Sequence, residues 1–354
     1  MSRIGEMLNS KKIIFLTIGE AGYSRSWTYF IGAKKLGANV EFIKIDSSKL
    51  IKQFVQIKKQ ISKDSIFVVM SPSQYLVPFI RFFLGKNIVL DAGWSLFEGT
   101  VISRKRYGIF GLLAAKNYLI DFTSSHVARK IILESNLQKK FYSRLFLVSK
   151  RKCFVLYSGV DEGAFSDNKS YELPPDIFNN SKIVLFRGKY TAEAGVEILA
   201  EATKLLSSEN ITFWVFCPGL PPNIKFSSNT IIITNIIESK HDLARVYNAS
   251  ILTIGQLSYH KRLIRTIPHK AYESAFLSKP YLSARNLGIN ELFLENKDII
   301  CIDGNNSLEL AFKIKDVIKN PEILKSIGIQ MNIKYNNICS QPVLSALFLE
   351  IVRI

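Results

Sequence analysis

The sequence predicts an α/β protein built from two doubly wound Rossmann-like domains. In each half of the chain, short apolar runs of strand length alternate with longer stretches of helical periodicity. Strands separated by helices favour a parallel sheet that is covered on both faces. A polar, aperiodic stretch over 166–181 contains two prolines and separates the halves. We therefore expect an N-terminal domain over 1–165, a linker over 166–181 and a C-terminal domain over 182–335.

The strands and helices of the first half follow from runs rich in Ile, Val, Leu and Phe and from the segments between them. Strands are predicted at 12–19, 40–45, 65–71, 87–93, 118–124 and 153–159. Helices are predicted near 25–37, 48–60, 73–84, 104–117, 126–135 and 137–149. In such sheets ligands bind beyond the carboxyl ends of the strands, so the loops that follow the strands are where a site is expected.

The second half repeats this alternation. Strands are predicted at 182–188, 211–217, 229–234, 250–255, 279–284 and 298–303, and helices near 194–206, 241–248, 269–277, 305–319 and 321–334. The final apolar segment, within 336–354, has the periodicity of a helix. Two placements are open for it: crossing back to the first domain, or capping its own.

Composition indicates a globular chain of 354 residues, 47% hydrophobic and 21% charged. No apolar run approaches the ~20 residues that a membrane-spanning helix needs, and the N-terminus lacks the apolar core of a signal peptide. The four cysteines lie far apart, three of them within apolar runs, which predicts buried thiols and a reducing cytoplasm.

Positive charge is concentrated in the first half. Residues 1–165 hold 26 Lys and Arg against 11 Asp and Glu, which accounts for +15 of the net +18. The helix carrying Lys139, Lys140 and Arg144 interleaves them with aromatic and apolar residues, and 104–106 is a second basic cluster. An amphipathic basic face suits peripheral docking on an anionic membrane. Two alternatives stay open: this face binds nucleic acid, or it is simply exposed to solvent. No nucleic-acid-binding motif accompanies the charge.

The stretch from 255 to 284 carries the most specific signal. A strand ends at Gly255, a basic loop follows, and Pro268 opens a helix. The free N–H groups and the positive dipole end of that helix, with Arg262, Arg265 and Lys270 around them, suit a diphosphate. Glu273 follows within the helix, where a carboxylate suits hydroxyl recognition. The segment therefore predicts a site for a nucleoside diphosphate in the C-terminal half.

The same stretch resembles the nucleotide-sugar loop of the GT-B glycosyltransferases, in particular the retaining enzymes of family 4. The matching positions are Pro268, Lys270, Glu273, Ala275, Lys279 and Pro280. Residues 155–165 also resemble the interdomain segment of that family. Arg265 stands where the family has the first of two glutamates, a departure that concerns the donor sugar more than the nucleotide. The resemblance implies two Rossmann-like domains that face each other across a cleft.

The resemblance also implies roles for individual residues. Nucleotide-sugar contacts are expected from Arg187, Gly188, Lys189, Gly219, Ile236, Arg262, Arg265, Lys270 and Glu273. The acceptor side is expected at Gly22, Arg25 and Asp91, and the catalytic residues at Asp91, Arg265 and Lys270. Simpler readings stay open beside these: a helix cap with a surface arginine for the 22–25 loop, a helix-capping carboxylate for Asp91, and solvated cations for Arg187 and Lys189.

Metal chemistry is not expected. The chain has no Asp-x-Asp sequence, and its four histidines lack ligand spacing. Cations and helix dipoles would then have to neutralise a departing diphosphate.

The resemblance, together with the missing metal-binding motifs, thus implies a metal-independent glycosyltransferase without a cofactor. It would transfer a sugar, with retention, from a UDP- or GDP-linked donor to a glycan or lipid-linked acceptor, in bacterial surface polysaccharide synthesis. A GT-B-fold nucleotide-sugar epimerase and a non-catalytic, membrane-docked GT-B protein are the alternatives. The sugar, base, acceptor and oligomeric state are left open.

Overall fold

A computed structural model describes residues 11–19, 25–93, 95–165 and 169–353. The chain divides into two compact units, Met1–Gly159 with Gln341–Ile354, and Val160–Ser340. Each unit contains a parallel six-stranded sheet with helices packed on it, as predicted. Within the described residues, no helix combines the length and apolarity needed to cross a membrane.

The first sheet has the strand order β2-β1-β3-β4-β5-β6. Its strands are β1 (Ile13–Thr17), β2 (Val40–Lys44), β3 (Ile66–Met70), β4 (Ile88–Gly93), β5 (Lys130–Leu133) and β6 (Cys153–Val155). The helices are α1 (Arg25–Lys35), α2 (Leu50–Lys59), α3 (Leu76–Phe83), α4 (Leu112–Val127) and α5 (Asn136–Leu145), and a π-helical stretch, Glu98–Ser103, lies between β4 and α4.

The prediction for 118–135 is wrong. The run 118–124, predicted as a strand, lies within α4, and β5 occupies part of the predicted helix 126–135. The run 118–124 contains only four apolar residues, Tyr118, Leu119, Ile120 and Phe122, and so short an apolar run fits a strand and a buried helix equally well by periodicity. Tyr118 and Phe122 are four residues apart and stack with ring centroids 6.1 Å apart, which places them on one face of a helix.

The apolar residues of α5 face the protein interior rather than a membrane. Tyr142 and Phe146 are fully buried in the core, and the Tyr142 hydroxyl lies 2.6 Å from the Ser125 hydroxyl. The predicted amphipathic face beside Lys139 and Lys140 is therefore the core-facing side of an ordinary surface helix. Packing, which local periodicity does not report, decides this.

The second sheet has the order β12-β11-β10-β7-β8-β9. Its strands are β7 (Lys182–Arg187), β8 (Ile211–Phe216), β9 (Thr230–Ile233), β10 (Leu252–Ile254), β11 (Tyr281–Ala284) and β12 (Ile300–Ile302). The helices are α6 (Val196–Leu205), α7 (Lys240–Ala249), α8 (His269–Phe276), α9 (Leu287–Asn290), α10 (Ser307–Ile318) and α11 (Pro321–Ile338). The strand order reverses between β7 and β10, which makes their carboxyl ends the topological switch point of the sheet.

The described part of the segment predicted as a linker, 169–181, lies in the second unit, and the two compact units divide between Gly159 and Val160. The backbone N–H of Ile177 bonds to Thr212 Oγ1 at 3.1 Å, and Trp214 Nε1 donates to the Pro175 carbonyl at 3.1 Å. Thr212 and Trp214 lie in β8, so hydrogen bonds from the sheet hold this polar segment in place.

The last helix, α12 (Gln341–Arg353), belongs to the first unit, the first of the two placements left open by the sequence. It packs against α1, where the ring of Phe348 stacks on Tyr29 at 5.7 Å. A methyl group on Gly32 would lie 1.8 Å from Ser345 Oγ, so the close approach of the two helices requires glycine there.

Candidate functional site

The centre of the candidate site is an ion pair between the end of β7 and the first turns of α8. Arg187 Nη1 donates to both carboxylate oxygens of Glu273, at 3.0 and 2.7 Å, and the hydroxyl of Tyr247 donates to Glu273 Oε2 at 2.8 Å. The Glu273 side chain is 3% exposed, whereas that of Arg187 is 34% exposed. The carboxylate is therefore enclosed, while part of the guanidinium faces solvent.

This arrangement keeps Glu273 ionised. Burial alone would raise the pKa of Glu273, but the charge of Arg187 and the bond from Tyr247, with a contribution from His269 when that ring is protonated, outweigh it and lower the pKa below its usual value. His269 precedes Glu273 by one helical turn, and its Nε2 lies 3.8 Å from Glu273 Oε1. A buried carboxylate paired in this way holds the guanidinium of Arg187 in one orientation.

Lys270, the residue of α8 that follows His269, lies beside this ion pair. Its Nζ donates to Gln256 Oε1 at 3.1 Å and sits 4.5 Å from the centroid of the Phe186 ring. A methyl group on Gly188 would lie 2.5 Å from Lys270 Nζ, so the glycine leaves room for the ammonium group. Burial and the nearby charge of Arg187 lower the pKa of Lys270 to about 7.

The loop between β10 and α8 is tied to the segment before α6. Arg262 Nη1 lies 3.5 Å from Glu193 Oε1, and the Ser258 hydroxyl donates to the Glu193 carbonyl at 3.1 Å. Arg265 ends a 3-10 turn over Lys261–Ile264, where its backbone N–H bonds to the Arg262 carbonyl at 3.0 Å. Arg262 is thus paired with an acidic side chain, and the nucleotide-sugar contacts predicted for Arg262 and Arg265 stay predictions.

Four of the residues predicted for the nucleotide sugar come together: Arg187, Gly188, Lys270 and Glu273. The remaining two strand-end predictions lie farther along the same sheet. Gly219 follows β8 with a φ of 78°, a conformation that favours glycine, and Ile236 follows β9 with 61% of its surface exposed. Lys189 is exposed two residues beyond Arg187. The roles of these three residues stay predictions.

The hydrogen bonds of Glu273 bear on its expected role, which stays a prediction. The sequence predicts a carboxylate that accepts bonds from ribose hydroxyls, but its oxygens already accept from Arg187 and Tyr247. Oε2 takes two of these bonds and Oε1 one, so only Oε1 keeps an unused acceptor direction. Positioning Arg187 is therefore the contact that the structure shows for this residue.

Sequence reasoning missed Tyr247, Gln256 and Phe186. Tyr247 lies in α7 and is fully buried, so its sequence context resembles that of any core aromatic residue. Gln256 directly follows the Gly255 that was singled out, and Phe186 directly precedes Arg187. The position of these last two at strand ends was the available signal.

In the first unit, Asp91 and Arg25 contact each other. Arg25 Nε lies 3.1 Å from Asp91 Oδ1, the Ser26 hydroxyl donates to Asp91 Oδ2, and Arg25 Nη2 donates to the Leu156 carbonyl at 2.7 Å. Asp91 is 0% exposed, and burial raises its pKa against the opposing charge of Arg25. These contacts tie Asp91 to Arg25 and to Ser26 at the start of α1. The catalytic role predicted for Asp91 and the acceptor-side roles predicted for Asp91 and Arg25 stay predictions. Gly22 lies outside the described residues.

The known proteins to which this chain is similar are glycosyltransferases. No family model matches the chain. An uncharacterized glycosyltransferase of Methanocaldococcus jannaschii is 22% identical over 273 residues, which cover 69% of this chain and 71% of that protein. Across the described residues, no group of three or more His, Cys, Asp or Glu side chains is arranged to hold a metal ion.

Several solved structures share the fold over nearly the whole chain. Anabaena HepE in complex with UDP-glucose superposes with a TM-score of 0.68 at 13% identity, covering 97% of this chain and 99% of HepE. Sucrose-phosphate synthase from Thermosynechococcus elongatus has a TM-score of 0.72 at 11% identity, with coverages of 97% and 98%. A glycosyltransferase from Rickettsia africae has a TM-score of 0.66 at 17% identity, with the same coverages. The predicted resemblance is thus confirmed at the level of fold: the chain has the GT-B fold of these glycosyltransferases.

Proposed function

We propose that this protein is a glycosyltransferase that holds the diphosphate of a nucleotide sugar between β7 and the N-terminus of α8. The observation that carries the proposal is the convergence of Arg187, Lys270 and the N-terminal end of α8, which has no side-chain cap, at the switch point of the second sheet. The similarity to a glycosyltransferase and to HepE, whose structure contains UDP-glucose, supports the same reading.

The proposed reaction breaks the bond between the anomeric carbon of the donor and an oxygen of the diphosphate. Negative charge accumulates on the leaving diphosphate, and groups fixed in place before the reaction stabilise that charge without reorganising. The exposed edge of Arg187 offers further N–H donors, and protonated Lys270 adds a second cation. Arg262, which is paired with Glu193, and Arg265 lie in the preceding loop, and their predicted contacts with the nucleotide sugar belong to the same proposal. No metal is required in this scheme.

Glu273 acts in this proposal mainly as a positioning residue. It fixes the guanidinium plane of Arg187, which would otherwise rotate freely at the strand end. Its remaining acceptor direction on Oε1 suits one ribose hydroxyl. The predicted base contacts at Gly219 and Ile236 complete the proposed nucleotide site.

Several finer features of the proposal rest on the sequence. Retention of anomeric configuration and a role in surface polysaccharide synthesis rest on the family resemblance. A glycan or lipid-linked acceptor rests on the same resemblance. Peripheral association with the inner face of the cell membrane rests on the +15 carried by residues 1–165. The choice of nucleotide rests instead on a comparison. We propose a UDP-linked sugar as the donor, because HepE, which has the same fold, is found with UDP-glucose and with UDP.

The test is to incubate the pure protein with UDP-glucose, UDP-N-acetylglucosamine and GDP-mannose and to measure released nucleoside diphosphate. We expect slow hydrolysis of one donor without acceptor, and loss of that release in Arg187→Ala. Interconversion of sugars without release would identify an epimerase instead. Binding without either reaction would identify a non-catalytic GT-B protein. Proton NMR of a transferred product would show whether the anomeric configuration is retained.

A further inference from the structure

The first unit carries an exposed apolar surface at the start of α4. It consists of Ile109, Phe110, Leu112, Leu113 and Leu119, and we call it the α4 apolar surface. The exposed fraction is 101% for Phe110 and 90% for Leu112, and at least half for the other three. Single exposed apolar residues are ordinary, but five within eleven positions indicate a surface that binds a partner or a membrane.

The local backbone projects these side chains outward. Gly108 and Gly111 flank Ile109 and Phe110, and the N–H of Gly111 bonds to the Gly108 carbonyl at 2.9 Å, closing a tight turn. A fully exposed phenylalanine at the tip of such a turn adds nothing to the core. Leu112 and Leu119 continue the patch along α4 at a spacing of two turns and line an open apolar groove with Ala115 and Ile120.

The surroundings of the α4 apolar surface are basic. Lys105 and Arg106 precede the turn, Lys116 lies on the exposed side of α4, and all three are exposed. Residues 99–120 contain four Lys and Arg and no Asp or Glu. The nearest acidic residues on either side, Glu98 and Asp121, are buried. An exposed apolar tip surrounded by positive charge complements an anionic lipid bilayer, in which negatively charged headgroups cover an apolar interior.

We propose that the α4 apolar surface docks on an anionic lipid bilayer, with Phe110 and Leu112 entering the headgroup region and Lys105, Arg106 and Lys116 on lipid phosphates. This rests on the membrane association proposed above and names the surface responsible for it. The α4 apolar surface takes the place of the apolar side of α5, which faces the core. Because the exposed apolar residues and the basic rim lie on the same segment, one patch supplies both of the contributions that interfacial binding needs. A second copy of the chain and a partner protein are the outcomes that would contradict it.

The experiment uses the full-length protein and co-sedimentation with vesicles of phosphatidylcholine containing about 30% phosphatidylserine. Phe110→Ser with Leu112→Ser should lower the partition coefficient at least about 10-fold, since it removes inserted apolar area without changing charge. Lys105→Gln with Lys116→Gln should lower it at low salt only, because salt screens the attraction of exposed charges. Vesicles of pure phosphatidylcholine should bind the wild type far more weakly.

The matched control is Leu308→Ser with Phe312→Ser, which removes an exposed apolar pair from α10 in the second unit. This variant should bind vesicles like the wild type. Phe110→Trp should show quenching by brominated lipid beyond that of the wild type, whose three tryptophans give the background signal. Equal binding by the Phe110/Leu112 variant and the wild type, or equal loss in the α10 variant, would overturn the proposal.

Two further readouts separate this proposal from its alternatives. If the wild type sediments as a dimer in solution and the Phe110/Leu112 variant as a monomer, the surface joins two copies and lipid docking fails. Binding of UDP-glucose, measured without vesicles, should be the same in the wild type and the Phe110/Leu112 variant. Vesicle binding that depends on the patch, in a protein that binds no nucleotide sugar, would uphold docking while refuting the proposed function.

Discussion

The protonation of Lys270 should control the affinity for a nucleotide sugar. With a pKa of about 7, this lysine is half neutral near neutral pH, because burial and the charge of Arg187 disfavour its ammonium form. A bound diphosphate brings negative charge next to Nζ and moves the pKa back toward the ordinary ~10.4. Binding must therefore take up a proton wherever the free protein has lost it.

The magnitude follows from the protonated fraction. Between about pH 6.5 and pH 8.5 that fraction falls ~25-fold for a group with a pKa near 7, so the association constant should fall by the same factor, or ~2 kcal/mol. At about pH 8, roughly 0.9 proton should enter for each ligand bound. The sign is fixed: the bound form has the higher pKa, so affinity is full below pH 7 and is lost as the pH rises through it.

Isothermal titration of UDP-glucose in buffers of different ionisation enthalpy measures both quantities. The sugar ester is a better probe than free UDP, because a terminal phosphate itself titrates near ~6. Lys270→Arg is the matched control, since a guanidinium stays charged throughout this range and should give a flat pH profile. A wild-type protein with an equally flat profile, or one that releases protons at pH 8, would refute the reasoning.

Three other predictions concern the same site. Glu273→Ala should lower the free energy of unfolding by roughly 2 kcal/mol, less than for a fully enclosed pair because Arg187 is partly exposed, and should weaken UDP binding; unchanged affinity in titration calorimetry would contradict the positioning role. Gly188→Ala should change the melting temperature little, since the added methyl meets the end of the flexible Lys270 side chain, but it should lower UDP affinity ~10-fold by displacing that side chain. Gly163→Ala, whose methyl meets nothing nearer than 3.9 Å, should leave both the melting temperature and the UDP affinity unchanged. Donor turnover should survive excess EDTA, and activity that returns only with Mg²⁺ or Mn²⁺ would count against a charge balance made by protein cations alone.

Much of the second unit could be predicted from local patterns. Its six strands and its main helices follow from apolar runs bounded by Gly, Pro and Asn, because buried parallel strands read as continuous apolar segments. The grouping of Arg187, Gly188, Lys270 and Glu273 was also predictable. Their elements end or begin at the same edge of a parallel sheet, so position along the chain translates into proximity.

The first unit was less predictable because its decisive features are contacts between distant segments. The run 118–124 fits a strand or a helix, and the helix packs Tyr118 against Phe146, 28 positions later, with ring centroids 5.3 Å apart. The apolar side of α5 looks identical in sequence whether it meets a core or a membrane. Likewise, the burial of Asp91 depends on Arg25, which lies 66 positions earlier in the chain.

The sequence by itself therefore determined the α/β class, the strand ends that carry the cations, and the concentration of positive charge in residues 1–165. Only the tertiary structure decided that Glu273 is enclosed by Arg187 and Tyr247, that Lys270 loses its ordinary pKa, and that α12 packs on α1. The physical reason is that periodicity and turn chemistry act over a few residues, whereas burial and charge pairing depend on which distant segments meet. An ionised side chain is tolerated in the interior only with a partner, and local sequence does not name that partner.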